Sequence, residues 1–352
     1  MPPTIVLVGA WYASSVLAII TAKLTLQTLH IPALLCLLQL TTATILQRSY
    51  LAWFPPTAIG LPKLFPRVAP TRLSTEARAV RSTALAYALG FALTNLAFSL
   101  APPSTVETLK SGEPIATVTL AAIVLGETER LLTYLTLAPT VLGTAMACYG
   151  GESLDLTALV ATMASNVAFA GRAVLVKALK RDHPSSPAAL SDLVLFYHVS
   201  RSGALLLLPL AAAEAYSRSS EIAAQLVSRP SMLLTVLANC VAHASYNQLS
   251  FQVLSRVSTS SHAVLNISRR VCLIVLTVVV FDTRMYSYNW AGVALAAFGV
   301  LMFGREKSRP GAKRLFSDRV EYEARGTQSP GLDAVVVDYK LNVNLKGKDA
   351  TV

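Results

Sequence analysis

Five positive charges stand where an apolar sequence has least use for them. Lys110, Arg172, Arg201, Arg269 and Arg270 all lie inside long runs of apolar residues. If those runs sit in lipid, each unpaired charge at a helix centre costs about 2.5 to 3.5 kcal/mol, and the five together roughly 12 to 18 kcal/mol. An anion or water must offset that. Successive residues on a helix point about 100° apart, so Arg269 and Arg270 present two planar guanidinium forks from different angles. Such forks suit a tetrahedral phosphate, whose oxygens accept paired bonds. Lys110 would add a compact point charge.

Each cation also has a plainer reading. Glu107 and Glu113 lie three residues either side of Lys110, the spacing of same-face helix pairs, so they could neutralise it locally. Arg172 could extend toward the membrane surface near Lys177. Arg201, with His198 nearby, has no counterpart and reads as a packing or ion-pair residue. Setting Lys110, Arg172, Arg269 and Arg270 against Glu107 and Glu113 leaves a formal charge of +2, which a phosphate dianion matches. Thr94-Asn95 and Tyr246-Asn247-Gln248 interrupt two further apolar runs. Their hydroxyls and amides need partners in lipid, so they face the interior, toward other helices or a solute.

Other chemistries lack their residues. Cys36, Cys148, Cys240 and Cys272 are single, with no paired spacing and no neighbouring His for a metal; they read as small core residues. Asp155, Asp192 and Asp282 fall at the ends of apolar runs, and His198 has no matched partner, so no catalytic pair is available at membrane depth. No enzyme and no cofactor is expected. The net charge of +11 comes without a basic stripe interleaved with aromatics, which argues against nucleic acid.

These residues need a scaffold, and composition names its solvent. The 352 residues are 53% hydrophobic and 14% charged, with a mean hydropathy of +0.53; water-soluble domains carry about 25% charge. Apolar blocks of about 20 residues, the span of a bilayer core, predict helices over 4–22, 31–54, 78–101, 104–126, 131–149, 154–177, 189–214, 230–255, 260–281 and 286–304. The expected fold is an all-α membrane protein of about ten transmembrane helices. Pro55-Pro56, Pro62, Pro102-Pro103, Gly150-Gly151, Pro184 and Pro187 punctuate the breaks. The apolar run at Thr4 starts with no Lys or Arg ahead of it, unlike a cleaved signal or transit peptide.

An even number of spans puts both termini on one side. Cytosolic termini place Lys63, Arg67, Arg72, Arg78, Arg81, Arg130, Lys177, Lys180, Arg181 and Arg256 inside, leaving Lys23, Arg218, Arg229 and Arg284 in or near the opposite connections. That is the orientation the positive-inside rule favours. Residues 305–352 mix charge with Gly, Ser and Pro and open with Arg305, Lys307, Arg309, Lys313 and Arg314. They read as a disordered basic cytosolic tail that serves as a topology signal or touches anionic membrane lipid.

Residues 1–304 form the expected transmembrane domain, and they contain a repeat. Glu127-Thr128 opens a segment closing at Ala147-Cys148-Tyr149-Gly150; Asp282-Thr283 opens one closing at Leu301-Met302-Phe303-Gly304. Each has a central glycine, Gly143 and Gly292. Five-helix halves, about 1–150 and 151–304, enter the membrane in opposite senses, and inverted repeats place a solute between them near the midplane.

Ser104-Thr105-Val106-Glu107-Thr108-Leu109-Lys110-Ser111-Gly112-Glu113-Pro114 resembles the Ser-Phe-Thr-x-x-x-Lys-x-x-Glu-Pro helix of the triose-phosphate translocators. Those belong to the drug/metabolite transporter superfamily. The likeness continues through Ala164-Ser165-Asn166 with Arg172, Tyr246-Asn247-Gln248, Arg256-Val257-Ser258, His262-Ala263-Val264 and Arg269-Arg270-Val271, at kept intervals over most of 4–304. The resemblance implies that phosphate is held by Lys110, Arg269 and Arg270, with Arg172, Tyr246 and Thr94 as further solute contacts. Two positions depart from it. Phe91 stands where plastid members carry a His, which removes a hydrogen bond expected to read a three-carbon moiety, and Arg269 replaces the Lys of the dibasic pair.

The expected function is therefore an antiporter exchanging a sugar phosphate, triose phosphate or phosphoenolpyruvate for inorganic phosphate by alternating access. The rival within transport is a nucleotide-sugar carrier exchanging for a nucleoside monophosphate, with Tyr246 or Phe91 as a platform for the base. Without a transit peptide, a Golgi or endoplasmic reticulum membrane is expected over the plastid envelope.

Overall fold

A computed structural model describes residues 3–53, 70–126, 131–148, 155–182, 191–254 and 259–307. The chain divides into one unit over Met1–Gly304 and another over Arg305–Val352. Most of the expected tail, Pro55-Pro56, Pro62, Gly150-Gly151, Pro184, Pro187 and Arg256-Val257-Ser258 lie outside the described residues.

Among the described residues every regular element is a helix. In chain order they are α1 (Thr4–Leu29), α2 (Pro32–Trp53), α3 (Pro70–Leu100), α4 (Pro103–Lys110), α5 (Glu113–Leu125), α6 (Leu131–Leu135) and α7 (Ala138–Cys148). There follow α8 (Leu156–Asp182), α9 (Asp192–Ser217), α10 (Ser219–Ser228), α11 (Ser231–Leu254), α12 (Thr259–Phe281) and α13 (Ser287–Lys307). Among the described residues six stretches are long and apolar enough to cross a membrane: Thr4–Leu29, Thr75–Leu100, Pro103–Leu125, Leu156–Asp182, Asp192–Ser217 and Ser287–Glu306. The protein is an all-α membrane protein.

Two expected helices are broken where proline removes a donor. Pro114 has no N–H for the Lys110 carbonyl, so the run expected over 104–126 divides into α4 and α5 around a turn at Ser111-Gly112. Pro139 interrupts the run expected over 131–149 in the same way. The short α10 was not expected at all; it fills a stretch read as a plain connection.

Burial is inverted relative to a water-soluble protein. Leu205, Leu208, Val279 and Leu233 face outward, while Thr25, Gln39, Ser165, Asn239 and Thr277 are buried. In lipid the polar groups must find each other. The Gln39 amide donates to Asn239 at 2.8 Å, and Asn95 donates to Gln39 at 3.1 Å. Asn239 in turn donates to the Ala18 carbonyl at 2.7 Å. One chain of amides thus ties α1, α2, α3 and α11.

Lys23 corrects an expectation. It is not in a connection: it is buried within α1, and its ammonium donates to the carbonyls of Phe98 and Ala101 at 2.8 and 2.9 Å. Phe98 lies in the last turn of α3, where Pro102 supplies no N–H to its carbonyl, and Ala101 follows the helix end. Glu214 of α9 answers at a helix start, accepting the Leu34 N–H of α2 at 2.7 Å. Of the cysteines, Cys36 and Cys240 are buried as expected, but Cys272 is only half-buried.

Gly143 and Gly292 meet. A Cβ on Gly143 would strike the backbone of Ala296 and the Gly292 carbonyl, and one on Gly292 would strike Ala147 and the Gly143 carbonyl. Small residues let the backbones of α7 and α13 touch, and Asn289 reinforces the seam by donating to the Met146 and Ala147 carbonyls at 3.2 and 3.1 Å.

Candidate functional site

The break between α4 and α5 positions the first cation. Lys110 is the last residue of α4, where the negative end of the helix dipole favours a positive charge. Asn166 of α8 donates to the adjacent Leu109 carbonyl at 3.0 Å, so one group freed near the break is satisfied. The Lys110 ammonium, itself buried, donates to Thr94 Oγ1 at 2.9 Å and lies 4.6 Å from the centre of the Phe169 ring. Thr94 Oγ1 is in turn 2.8 Å from both the Gly90 carbonyl oxygen and Ser165 Oγ. The lysine is held between α3 and α8.

Lys110, Thr94, Arg172, Tyr246, Arg269 and Arg270 all line one cavity of about 340 Å³, so the six residues singled out in the sequence are brought together. Arg270 Nη2 donates to Glu113 at 2.9 Å, and its Nη1 lies 3.6 Å from Glu107. Glu107 and Glu113 are therefore within ion-pair distance of an arginine on α12. Among the described residues neither comes within ion-pair distance of Lys110, although both act on its charge through space. Arg270 Nη1 is buried and has no hydrogen-bond partner among the described residues.

Arg269 is oriented rather than neutralised. Its Nε and Nη2 both donate to Asn266 Oδ1, at 3.2 and 3.0 Å, and its guanidinium lies 5.4 Å from the Trp11 ring centre and 6.0 Å from that of Tyr246. Arg172 lines the cavity instead of reaching toward Lys177. Its guanidinium is 5.6 Å from the ring centres of both Tyr87 and Phe169, and among the described residues it has no carboxylate partner. Aromatic faces attract cations by about 0.5 to 2 kcal/mol, which orients a charge without cancelling it.

The cavity thus holds four cations and two carboxylates, and both carboxylates serve Arg270. Arg201 and His198 do not line it; Arg201 is exposed on α9. Asn95 lines the cavity and also makes its amide bond to Gln39, while Asn247 donates to the His243 carbonyl at 2.9 Å. The sequence reading passed over Trp11, Phe169, Asn266 and His243. Asn266 stands three residues before Arg269 and His243 three before Tyr246, so helix spacing from a residue already chosen was the available signal.

The chain is similar to known proteins over most of its length. The model of the Triose-phosphate Transporter family matches residues 3–304. The chain is 31% identical over 308 residues to phosphoenolpyruvate/phosphate translocator 3, chloroplastic, of Oryza sativa subsp. japonica, covering 86% of this chain and 74% of that one. It is 29% identical to phosphoenolpyruvate/phosphate translocator 2, chloroplastic, of Arabidopsis thaliana, covering 85% and 76%. It is 28% identical to the non-green plastid triose phosphate/phosphate translocator of Brassica oleracea var. botrytis, covering 86% and 72%. A cavity built from Lys110, Arg269 and Arg270 thus sits within a chain that belongs to the Triose-phosphate Transporter family.

Proposed function

We propose that the chain is an antiporter exchanging a small phosphorylated metabolite for inorganic phosphate, with the phosphate held by Lys110, Arg269 and Arg270. Family membership makes it a transporter and not an enzyme, and the relatives reported above are named for exchanging phosphoenolpyruvate or triose phosphate against phosphate. The observation that carries the site is the charge imbalance: four cations face one cavity with two carboxylates, leaving +2. A phosphate dianion completes that balance, and Arg270 Nη1, buried and without a hydrogen-bond partner among the described residues, can donate to one of its oxygens.

The same imbalance supports obligatory exchange. An empty site keeps unneutralised charge in a low-dielectric surround, so reorientation without an anion is slow. The proposed architecture is two inverted five-helix halves, about 1–150 and 151–304, rocking around the cavity, with both termini cytosolic and a basic tail over 305–352. The meeting of the repeat-related Gly143 and Gly292 supports it, as does the break beside Lys110.

The nucleotide-sugar alternative, exchange for a nucleoside monophosphate and a Golgi or endoplasmic reticulum membrane gain no support from the relatives. Their names specify phosphate exchange and chloroplasts.

Purified protein in liposomes loaded with phosphate should take up labelled triose phosphate or phosphoenolpyruvate, and empty liposomes should not. Arg270→Ala should abolish that uptake while leaving the protein folded. Uptake at the normal rate by Arg270→Ala would sink the site assignment. Uptake only into vesicles loaded with UMP or GMP would move the substrate class to nucleotide sugars.

A further inference from the structure

His243 is a buried polar group that lines the cavity and is not used by the proposed phosphate site. It lies on α11, is 3% exposed and lines the cavity, and its Nε2 has no hydrogen-bond partner among the described residues. Leaving a buried ring nitrogen unpaired costs about 1 to 3 kcal/mol, so a position that keeps one facing a cavity implies that something in the cavity satisfies it. The ring cannot turn away freely. Its centre is 4.5 Å from that of Phe91 and 5.3 Å from that of Tyr246, both in edge-to-face contact. Phe91 offers no hydrogen bond on that wall.

The position of His243 along the cavity follows from three side-chain relationships between α3 and α11. Asn95 is joined to Asn239 through Gln39, Phe91 touches His243, and Tyr87 of α3 is close enough to Tyr246 to interact with it electrostatically. As numbers fall on α3 they rise on α11, so the two helices run antiparallel across the cavity. Thr94, which holds Lys110, is therefore about one turn to one side of the Phe91–His243 level. Tyr246 and Tyr87, against which Arg269 and Arg172 lie, are about one turn to the other. Along the two helices His243 thus stands between the residue that holds Lys110 and the rings against which Arg269 and Arg172 lie.

We infer that His243 is a specificity-determining contact of the transported solute. Its Nε2 hydrogen-bonds an oxygen of the carbon skeleton, a hydroxyl, carbonyl or carboxylate a few bonds from the phosphate ester. Inorganic phosphate has no such oxygen beyond its own four, so His243 distinguishes the organic phosphate from the counter-substrate. The inference rests on the phosphate-exchange reading above.

The test is counter-exchange in phosphate-loaded liposomes, with KM measured on the same vesicles for phosphoenolpyruvate, a triose phosphate and inorganic phosphate. His243→Phe keeps the ring contacts and removes the hydrogen bond; it should raise the KM of at least one organic phosphate by about tenfold relative to that of phosphate. His243→Gln places an amide nitrogen near the position of Nε2 and should restore the wild-type ratio, whereas His243→Asn, whose amide is too short, should not. A ratio unchanged in both His243→Phe and His243→Asn overturns the inference, as does a parallel rise for all three solutes, which would make His243 a packing residue. Wild-type vesicles that exchange no phosphate ester overturn the functional reading and the inference together, so the two failures are distinct.

Discussion

Arg270 of α12 and Glu113 of α5 are 157 residues apart in sequence and 2.9 Å apart in the fold. The pair joins the helix broken beside Lys110 to the helix carrying both arginines, and it occupies one fork of the guanidinium that the phosphate is proposed to use. On the proposed site, a bound phosphate and Glu113 would compete for the charge of Arg270. Glu113→Gln should therefore lower the KM for phosphate by about tenfold, as a charge-assisted bond is released, and slow turnover because the anion leaves less readily. Glu107→Gln, whose carboxylate is 3.6 Å from Arg270, should act in the same direction and more weakly. Exchange kinetics with KM unchanged in Glu113→Gln would contradict the competition.

The α7–α13 seam should tolerate no side chain. Gly143→Ala or Gly292→Ala forces a methyl into backbone atoms that cannot move aside, and overpacking of this kind costs about 1 to 3 kcal/mol. Thermal unfolding in detergent should show a clear drop for each. Gly9→Ala, with nothing near the added carbon, should leave the midpoint where it is.

The amide chain Asn95–Gln39–Asn239 should behave as a unit. A double-mutant cycle of Gln39→Leu and Asn239→Leu should return a coupling of about 0.6 to 2 kcal/mol, the range for hydrogen bonds between membrane helices. Strictly additive losses would mean that the two amides contribute independently.

Asp155 provides a pH signature outside the spans. It caps α8, accepting the N–H groups of Thr157 and Ala158 at 2.6 and 3.2 Å. The bond from Ala158 first, and then that from Thr157, hold its carboxyl below the usual range. A depressed carboxyl stabilises the fold above its unfolded-state value, and that contribution is lost as pH falls through the folded value. Asp155→Ala should thus lower the unfolding midpoint at neutral pH, and the gap from wild type should close as the pH is taken below the carboxylate range. A gap that persists at acid pH would show that the loss does not come from the ionised cap.

How much of this was legible beforehand follows from the range of each interaction. A charge in an apolar run is costly wherever the run ends up, so Lys110, Arg172, Arg269 and Arg270 could be picked out by their immediate neighbours alone, and all four do line the cavity. The apolar runs and their punctuation located the helices for the same reason: each depends on residues close in sequence. Pro114 carried the break beside Lys110 in plain sight, yet the run around it was apolar enough to be read as one helix. His243 was passed over although it stands one helical turn from Tyr246; its meaning comes from Phe91, 152 positions earlier and 4.5 Å away.

The sequence by itself determined the solvent, the helical class and the set of charges that need an anion. Only the tertiary structure decided how those charges are shared: Glu107 and Glu113 with Arg270, Thr94 with Lys110, Asn266 with Arg269, and the α3 carbonyls with Lys23. The physical reason is geometric. A helical repeat of 100° per residue states which side chains share a face, but which face of another helix they meet is set by packing between segments that the chain order leaves far apart.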